Sequence, residues 1–291
     1  MSSDGPAATF RAAVDADAPD LERVYLASDA GQPPDAPTAP PGTQEPYFRF
    51  LIARGRVVVA EADGRTLGFG ASVDTGRARH LADLFVHPDV QGGGLGRRLL
   101  EDAFQDDWPR TTMASDDPRA MPLYLRVGMA PHWPGLYLAG DPTRLPAVAD
   151  GLRVDEATFD EVAELETRWI GVDRRPDLTY WSSLPDVHAV VVHRGSVAVG
   201  TGLSRRRLWG PGRYMHQAVA APDLDPGPVL LAMLTDGLAG SDVGGACVPG
   251  PSPIVRPLLA AGFRIRDRDT FMASDPRLVH ADRELLDTGV L

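Results

Sequence analysis

The sequence predicts an α/β fold made of two tandem copies of one domain. Three observations carry that expectation. A length of 291 residues with 43% hydrophobic and 24% charged side chains is enough for two ordinary cores. The stretch from Leu81 to Phe104 reads as strand, glycine-rich turn and amphipathic helix. Three separated landmarks recur at one offset: Pro88-Asp89-Val90 against Pro222-Asp223-Leu224, Gly128-Met129 against Gly262-Phe263, and Asp141-Pro142 against Asp275-Pro276, each 134 positions apart. That period is far longer than a solenoid repeat, so it marks duplicated domains, with the boundary placed at 145/146.

In chain order, residues 1 to about 8 are a loose leader. Thr9 to Val14 is a strand, and Asp17 to Ser28 is a helix with Leu21, Val24, Tyr25 and Ala27 as its apolar stripe. Gly31 to Pro46 carries six prolines and is assigned no helix or strand. Arg56 to Ala62 and Thr66 to Val73 flank Asp63-Gly64 as a β-hairpin. A strand from Leu81 stops at His87-Pro88, because proline cannot donate to a ladder. The next helix sets Leu95, Leu99, Leu100 and Ala103 on one face and Arg97, Arg98, Glu101 and Asp102 on the other. Thr111 to Ser115 is a strand, Arg119 to Val127 a helix capped by Gly128, and Gly135 to Ala139 a strand. The second copy opens with Gly151 to Val154 and a helix from Phe159 to Trp169, and closes with a strand from Asp269 to Ala273.

Composition narrows the function. A formal net charge of −11 and a pI near 5.0 argue against nucleic acid or an anionic membrane as partner and tilt toward cationic acceptors. All 29 basic Lys or Arg side chains are arginine, which reads as genome composition and not as chemistry. One cysteine, Cys247, excludes an internal disulfide and suits a reducing cytosol. The first nineteen residues contain no apolar signal segment, and no run of 18 apolar residues occurs, so a cytoplasmic protein is expected.

The turn Gln91-Gly92-Gly93-Gly94-Leu95-Gly96 puts four glycines in six residues at a helix N-terminus. Unpaired N–H groups and the positive end of the helix dipole converge there, which makes an anion site. The P-loop pattern fails for want of a lysine, and GxGxxG does not fit in register. The segment does resemble the Q/R-x-x-G-x-G/A signature of the GCN5-related N-acetyltransferase (GNAT) family, behind Val86-His87-Pro88. A second motif of that family is similar to Asp117-x-x-Ala120-x-x-Leu123-Tyr124-x-x-x-Gly128-Met129, with Asp for Asn and Met for Phe.

The resemblance implies tandem domains, each a mixed, mostly antiparallel sheet flanked by helices. It implies acetyl-CoA or another short acyl-CoA as co-substrate, with no metal. Gln91, Gly92, Gly93, Gly94, Leu95, Gly96 and Arg97 would hold the pyrophosphate. Main-chain groups of Leu84, Phe85 and Val86 would serve the pantetheine and the oxyanion. Tyr124 would be the general acid toward the leaving thiolate, against core packing as the plain alternative. In the same family the connection at Gly31 to Pro46 borders the acceptor pocket, so it is a candidate lid, with a plain loop as the equal alternative.

For the general base, Asp83 and His80 share the strand, and a regular period of two places them on opposite faces, so only one faces the pocket. Asp83 is preferred as closer to the expected thioester. His132 and Trp133 are further candidates for the acceptor site, with a surface turn as the plain alternative. Opposite Gln91, Gly92, Gly94 and Gly96 stand Asp225, Pro226, Pro228 and Leu230, and opposite Tyr124 stands Leu258, so the second copy reads as catalytically silent. The expected activity is acyl transfer from acyl-CoA to a small-molecule amine. An acyl-CoA-binding regulator and a protein amino-group acetyltransferase remain the alternatives, and acceptor identity and oligomeric state are not legible.

Overall fold

The computed structural model describes residues 8–28, 39–105, 107–208 and 210–289. The expected leader, apart from Ala8, and residues 31–38 of the expected lid lie outside that set. In the first half, β1 (Thr9–Ala12), α1 (Ala18–Ser28), β2 (Arg56–Ala62) and β3 (Arg65–Asp74) stand where their patterns predict. Asp63 and Gly64 turn the β2–β3 hairpin with positive φ angles of 51° and 71°, as a D-G turn requires. Between α1 and β2 an unpredicted helix, α2 (Glu45–Arg54), buries Phe48 and Leu51. The sequence reading ends its proline-rich loop at Pro46, but proline is tolerated in a helix's first turn, where its missing N–H has no partner anyway.

β4 (Arg79–Val86), α3 (Leu95–Phe104), β5 (Arg110–Ala114) and α4 (Ala120–Arg126) follow, with Gly128 left-handed at φ 83°. β6 (Ala130–Gly140) is longer than expected and runs through Pro131 and Pro134. The surface turn held as the alternative for His132 and Trp133 is therefore ruled out, since both lie in this strand. His132 is the extra residue of a bulge facing the strand's partner, and bulges are where a sheet tolerates proline.

The second half repeats the order as β7 (Leu152–Glu156), α5 (Phe159–Ile170), α6 (Arg175–Ser183), β8 (Val187–Arg194), β9 (Val197–Arg206), β10 (Arg213–Ala220), α7 (Pro226–Gly237), β11 (Gly244–Pro249), α8 (Val255–Ala260) and β12 (Arg264–Ala273). A short β13 (Glu284–Leu285) closes the chain. The starts of β4 and β10, of β5 and β11, and of β6 and β12 each differ by 134 residues, the offset read from the sequence.

The halves do not form two separate sheets. Among the described residues the strands make one sheet of 13, in the order β1-β2-β3-β4-β5-β12-β6-β11-β10-β9-β8-β7, with β13 on β10. All pairings are antiparallel except β4 with β5 and β10 with β11. The last long strand of each half is exchanged: β12 sits between β5 and β6, while β6 also pairs with β11. Each half thus borrows a strand to complete its own side of the sheet.

Helices cover both faces. α1 and α2 pack on the side of Val57, Val59, Phe69, Ala71 and Val73, whereas α3 packs on the opposite side through Leu99, against Val58 and Ala60. No helix among the described residues is long and apolar enough to cross a membrane.

Candidate active site

The site opens where β4 and β5 part. Their parallel pairing covers only Arg79–Arg110, His80–Thr111 and Leu81–Thr112, after which β4 runs on to Val86 alone on that side. On its other side β4 pairs with β3, and the register slips between Ala71–Asp83 and Ser72–Leu81, so Ala82 is the extra residue of a β-bulge. That bulge corrects the expectation that His80 and Asp83 lie on opposite faces. One inserted residue shifts the alternation by one, and both side chains face the α1/α2 side and the chain's C-terminal segment.

His80 is completely buried, with Nδ1 3.1 Å from Thr111 Oγ1 and Nε2 3.1 Å from the Thr288 carbonyl oxygen. A carbonyl only accepts, so Nε2 carries the hydrogen and Nδ1 accepts from the threonine. Burial pushes the imidazole pKa down to about 4, and a neutral ring with both nitrogens engaged has no lone pair to offer. Asp83 is different. It is partly open to solvent and accepts a 2.8 Å hydrogen bond from the Tyr47 hydroxyl. Burial lifts its pKa to about 7, the charge of Asp287 adds to the rise, and the Tyr47 bond opposes it. A carboxylate that titrates near neutrality is suited to general-base work.

The glycine turn leads from the end of β4 into α3. Gly92 and Gly94 take left-handed φ angles of 88° and 84°, and nothing lies within 4 Å of where a Cβ would stand at either. Gly94 is the N-cap of α3 and no side chain caps that terminus, so its first N–H groups remain available. Gln91 Nε2 donates to the Val86 carbonyl at 2.9 Å, and Gln91 Oε1 accepts from Arg119, just ahead of α4. A Cβ on Gly96 would stand 3.8 Å from Leu123 Cδ1, so the two sequence motifs meet in space.

His87 N–H donates to the Leu67 carbonyl, and antiparallel pairs alternate, so Phe85 is the residue bonded to β3 while Leu84 and Val86 turn their main-chain groups toward the open side. Leu95 packs into the small core with Leu99. Arg97 points outward and pairs with Glu101 at 2.8 Å. An uncapped helix end, an open glycine cradle and a splayed strand edge fit the pyrophosphate and pantetheine of an acyl-CoA.

Tyr124 is 6% exposed and packs with Leu81, Leu100, Phe104, Met129 and, from β12, Met272. Its hydroxyl has no hydrogen-bond partner among the described residues. Burial raises its pKa above the usual phenol value, with the charges of Asp117, Asp269 and Asp83 adding to the rise, so the phenol holds its proton at neutral pH. Packing and acid chemistry are both compatible with this position.

Residues 53–128 match the profile of the acetyltransferase (GNAT) domain. The first half of the chain carries a GNAT domain. An uncharacterized N-acetyltransferase from Archaeoglobus fulgidus is 34% identical over 99 residues, which is 31% of this chain and 66% of that protein, just under two thirds of its length. Among solved structures, a Pyrococcus horikoshii chain provisionally described as an acetyltransferase superposes with a TM-score of 0.73 at 15% identity, covering 99% of this chain and 98% of that one. A tandem GNAT protein from the clavulanic acid biosynthesis pathway gives 0.65 at 17% identity over 92% and 99% of the two chains. A GCN5-related N-acetyltransferase from Sphaerobacter thermophilus gives 0.62 at 17% over 99% of each. At these identities the structural matches establish the fold, and with it the tandem GNAT-like architecture.

The second GNAT-like half lacks the features of the first. At α7, Asp225 caps the helix, accepting from Gly227 N–H at 3.1 Å, and Pro226 occupies the first turn. The N–H groups left open at α3 are here removed or already taken. Leu258 is fully buried beside Phe263 in the second half's core. The counterpart of Asp83 is Gln217, whose amide is 2.6 Å from both oxygens of the buried Glu166.

Sequence reasoning missed three participants: Tyr47 on α2, the bulge at Ala82, and the C-terminal residues Asp287 and Thr288. Only Tyr47 left a signal, since Phe48, Leu51 and Ile52 recur at helical spacing after Pro46.

Proposed function

We propose that the chain is an acyl-CoA-dependent N-acyltransferase, with acetyl-CoA as the expected donor, acting by direct transfer on a small-molecule amine in its first half. The carrying observation is the contrast between the two helix N-termini, open at Gly94 and closed by Asp225 and Pro226. One acyl-CoA per chain is the corresponding expectation. In this reading residues 1–145 form the catalytic unit and 146–291 a unit that completes the fold and the acceptor side.

When bound, acyl-CoA supplies the activated acyl group as a thioester. The chain's residues then divide the work. The glycine turn and the α3 terminus bind phosphate oxygens through N–H groups. Main-chain N–H groups of Leu84 and Val86, on the unpaired side of β4, are placed to stabilise developing negative charge on the carbonyl oxygen, while that of Phe85 is spent on β3. Asp83 takes the proton of the attacking amine, and Tyr124 gives one to the departing thiolate.

Two measurements test the reading. Gly94→Pro cannot adopt a φ of 84° and removes an N–H, so acetyl-CoA affinity by calorimetry is expected to fall about a hundredfold with the chain still folded. Binding at wild-type strength, or two equivalent sites in the wild type, sinks the assignment.

The second measurement is the pH profile. Asp83 must be ionised to act, so kcat/KM is expected to rise with pH through a limb near 7, the value to which burial lifts this carboxyl. Tyr47 stabilises the charged form, so Tyr47→Phe raises the carboxyl's pKa and moves the limb upward. The acceptor's own ionisation is common to both enzymes, so the displacement reports the protein group. A limb that stays in place removes Asp83 from the base role.

A further inference from the structure

Beyond β12 the chain returns across the sheet and joins the halves. Glu284 and Leu285 pair with Val219 and Ala218 of β10. The Glu284 carboxylate, fully buried, bonds Arg77 in the turn before β4 at 2.8 Å. Past this anchor the Thr288 carbonyl accepts from His80, and Gly289 lies so close to Tyr47 that any side chain there would collide with its hydroxyl.

Between these contacts stands Asp287, whose Oδ2 is 2.6 Å from Nδ1 of His216. His216 occupies the bulge of β10, the position equivalent to Ala82, with the Trp181 and Tyr214 rings 4.5 and 5.1 Å away. The Asp287 charge is felt at Asp83, Tyr47 and Tyr180. Tyr180, on α6, stacks on Phe50 of α2 at 4.5 Å, so both halves build this place. Tyr47, Asp83, Tyr180, His216 and Asp287 all keep some exposure to solvent, so none of them is sealed in the core.

Resting on the transfer reading above, we propose that the C-terminal segment is a wall of the acceptor site and that Asp287 is its specificity-determining residue, selecting amines that carry a second cationic nitrogen. The reacting nitrogen faces Asp83, and the second nitrogen is held by Asp287, with the carbon chain along the faces of Tyr47 and Tyr180. Asp83 has to collect a proton during transfer, so it cannot also serve as the fixed anchor. Asp287 can, because His216 and the Glu284–Arg77 pair fix where it stands. Aromatic faces beside a carboxylate suit an alkylammonium group, through ring quadrupole and charge together.

The test uses the full chain, acetyl-CoA, 1,4-diaminobutane and butylamine as probes. Wild type is expected to show kcat/KM about tenfold or more higher for the diamine. Asp287→Asn is expected to raise KM for the diamine to that of butylamine, with kcat and acetyl-CoA affinity little changed, and Asp287→Glu is expected to recover most of the preference. Loss of structure alone would reduce both amines equally and leave their ratio in place. If Asp287→Asn does not fold, as judged by acetyl-CoA titration, His216→Phe removes the 2.6 Å bond that positions the carboxylate and is expected to lower the same ratio. A ratio unchanged in the folded variant overturns the role of Asp287 while leaving the transfer reading intact. A wild-type chain that binds acetyl-CoA yet acetylates neither these nor other amines overturns the transfer reading, and this proposal with it.

Discussion

A chain cut after Ala149 is expected to yield no soluble, acyl-CoA-binding fragment, although every residue of the expected donor site lies before the cut. The reason is the strand exchange. β12 pairs with β5 over Thr270 to Ala273 and with β6 along most of its length, so its removal leaves both first-half strands with open edges. It also removes Phe271 and Met272, both fully buried, and Met272 belongs to the cluster that holds Tyr124. Burial of such side chains contributes about 1.5–3 kcal/mol each. With the ladder and the Arg77–Glu284 pair also lost, the deficit approaches the roughly 5–15 kcal/mol that keeps a domain folded. Size-exclusion chromatography and acetyl-CoA titration of the fragment provide the measurement. A monomeric fragment that binds acetyl-CoA with wild-type affinity would mean that the exchanged strand is dispensable. Asp225→Asn in the full chain is the counterpart, since asparagine caps a helix as well as aspartate does. Transfer is expected to survive it, and a variant that binds acyl-CoA but no longer transfers would place chemistry in the second half.

What was legible in the sequence was local. Asp63-Gly64 fixed the hairpin because few other dipeptides take two positive φ angles, and the glycine turn was visible because a left-handed backbone, found at Gly92 and Gly94, strongly favours glycine. The 134-residue offset was legible because landmarks keep their spacing along a chain whatever they pair with in space. That same property hid the exchange of β6 and β12: strand periodicity says which residues alternate, not which strand lies alongside. The bulge at Ala82 was hidden for a related reason. An alanine in a bulge looks like an alanine in a regular strand, and the register slip that puts His80 and Asp83 on one face shows only in the pairing with β3. α2 is hard to see because a proline in its first turn reads equally well as the end of a loop. Asp287 lies 204 residues after Asp83 with no motif around it, so only the fold brings their charges together.

Tyr124→Phe is expected to lower turnover by about ten- to a thousandfold while acyl-CoA affinity changes little. The substitution keeps the ring, and with it the packing against Leu81, Leu100, Phe104 and Met272, so stability should hold. What it removes is a hydroxyl with no partner among the described residues and a proton that burial holds firmly at neutral pH. A hydroxyl that meets a departing thiolate has its partner during the reaction. The two accounts therefore separate cleanly. Under the packing account Tyr124→Phe is neutral or stabilising and turns over like wild type. Under the acid account the thiolate must leave unprotonated, and the loss appears in kcat. Single-turnover thiol release, with thermal unfolding of the same samples, measures both. The result also bears on the alternative of a non-catalytic acyl-CoA-binding protein, which has no use for an acid beside the sulfur. Wild-type turnover in a chemistry-limited assay of the phenylalanine variant would return Tyr124 to the core.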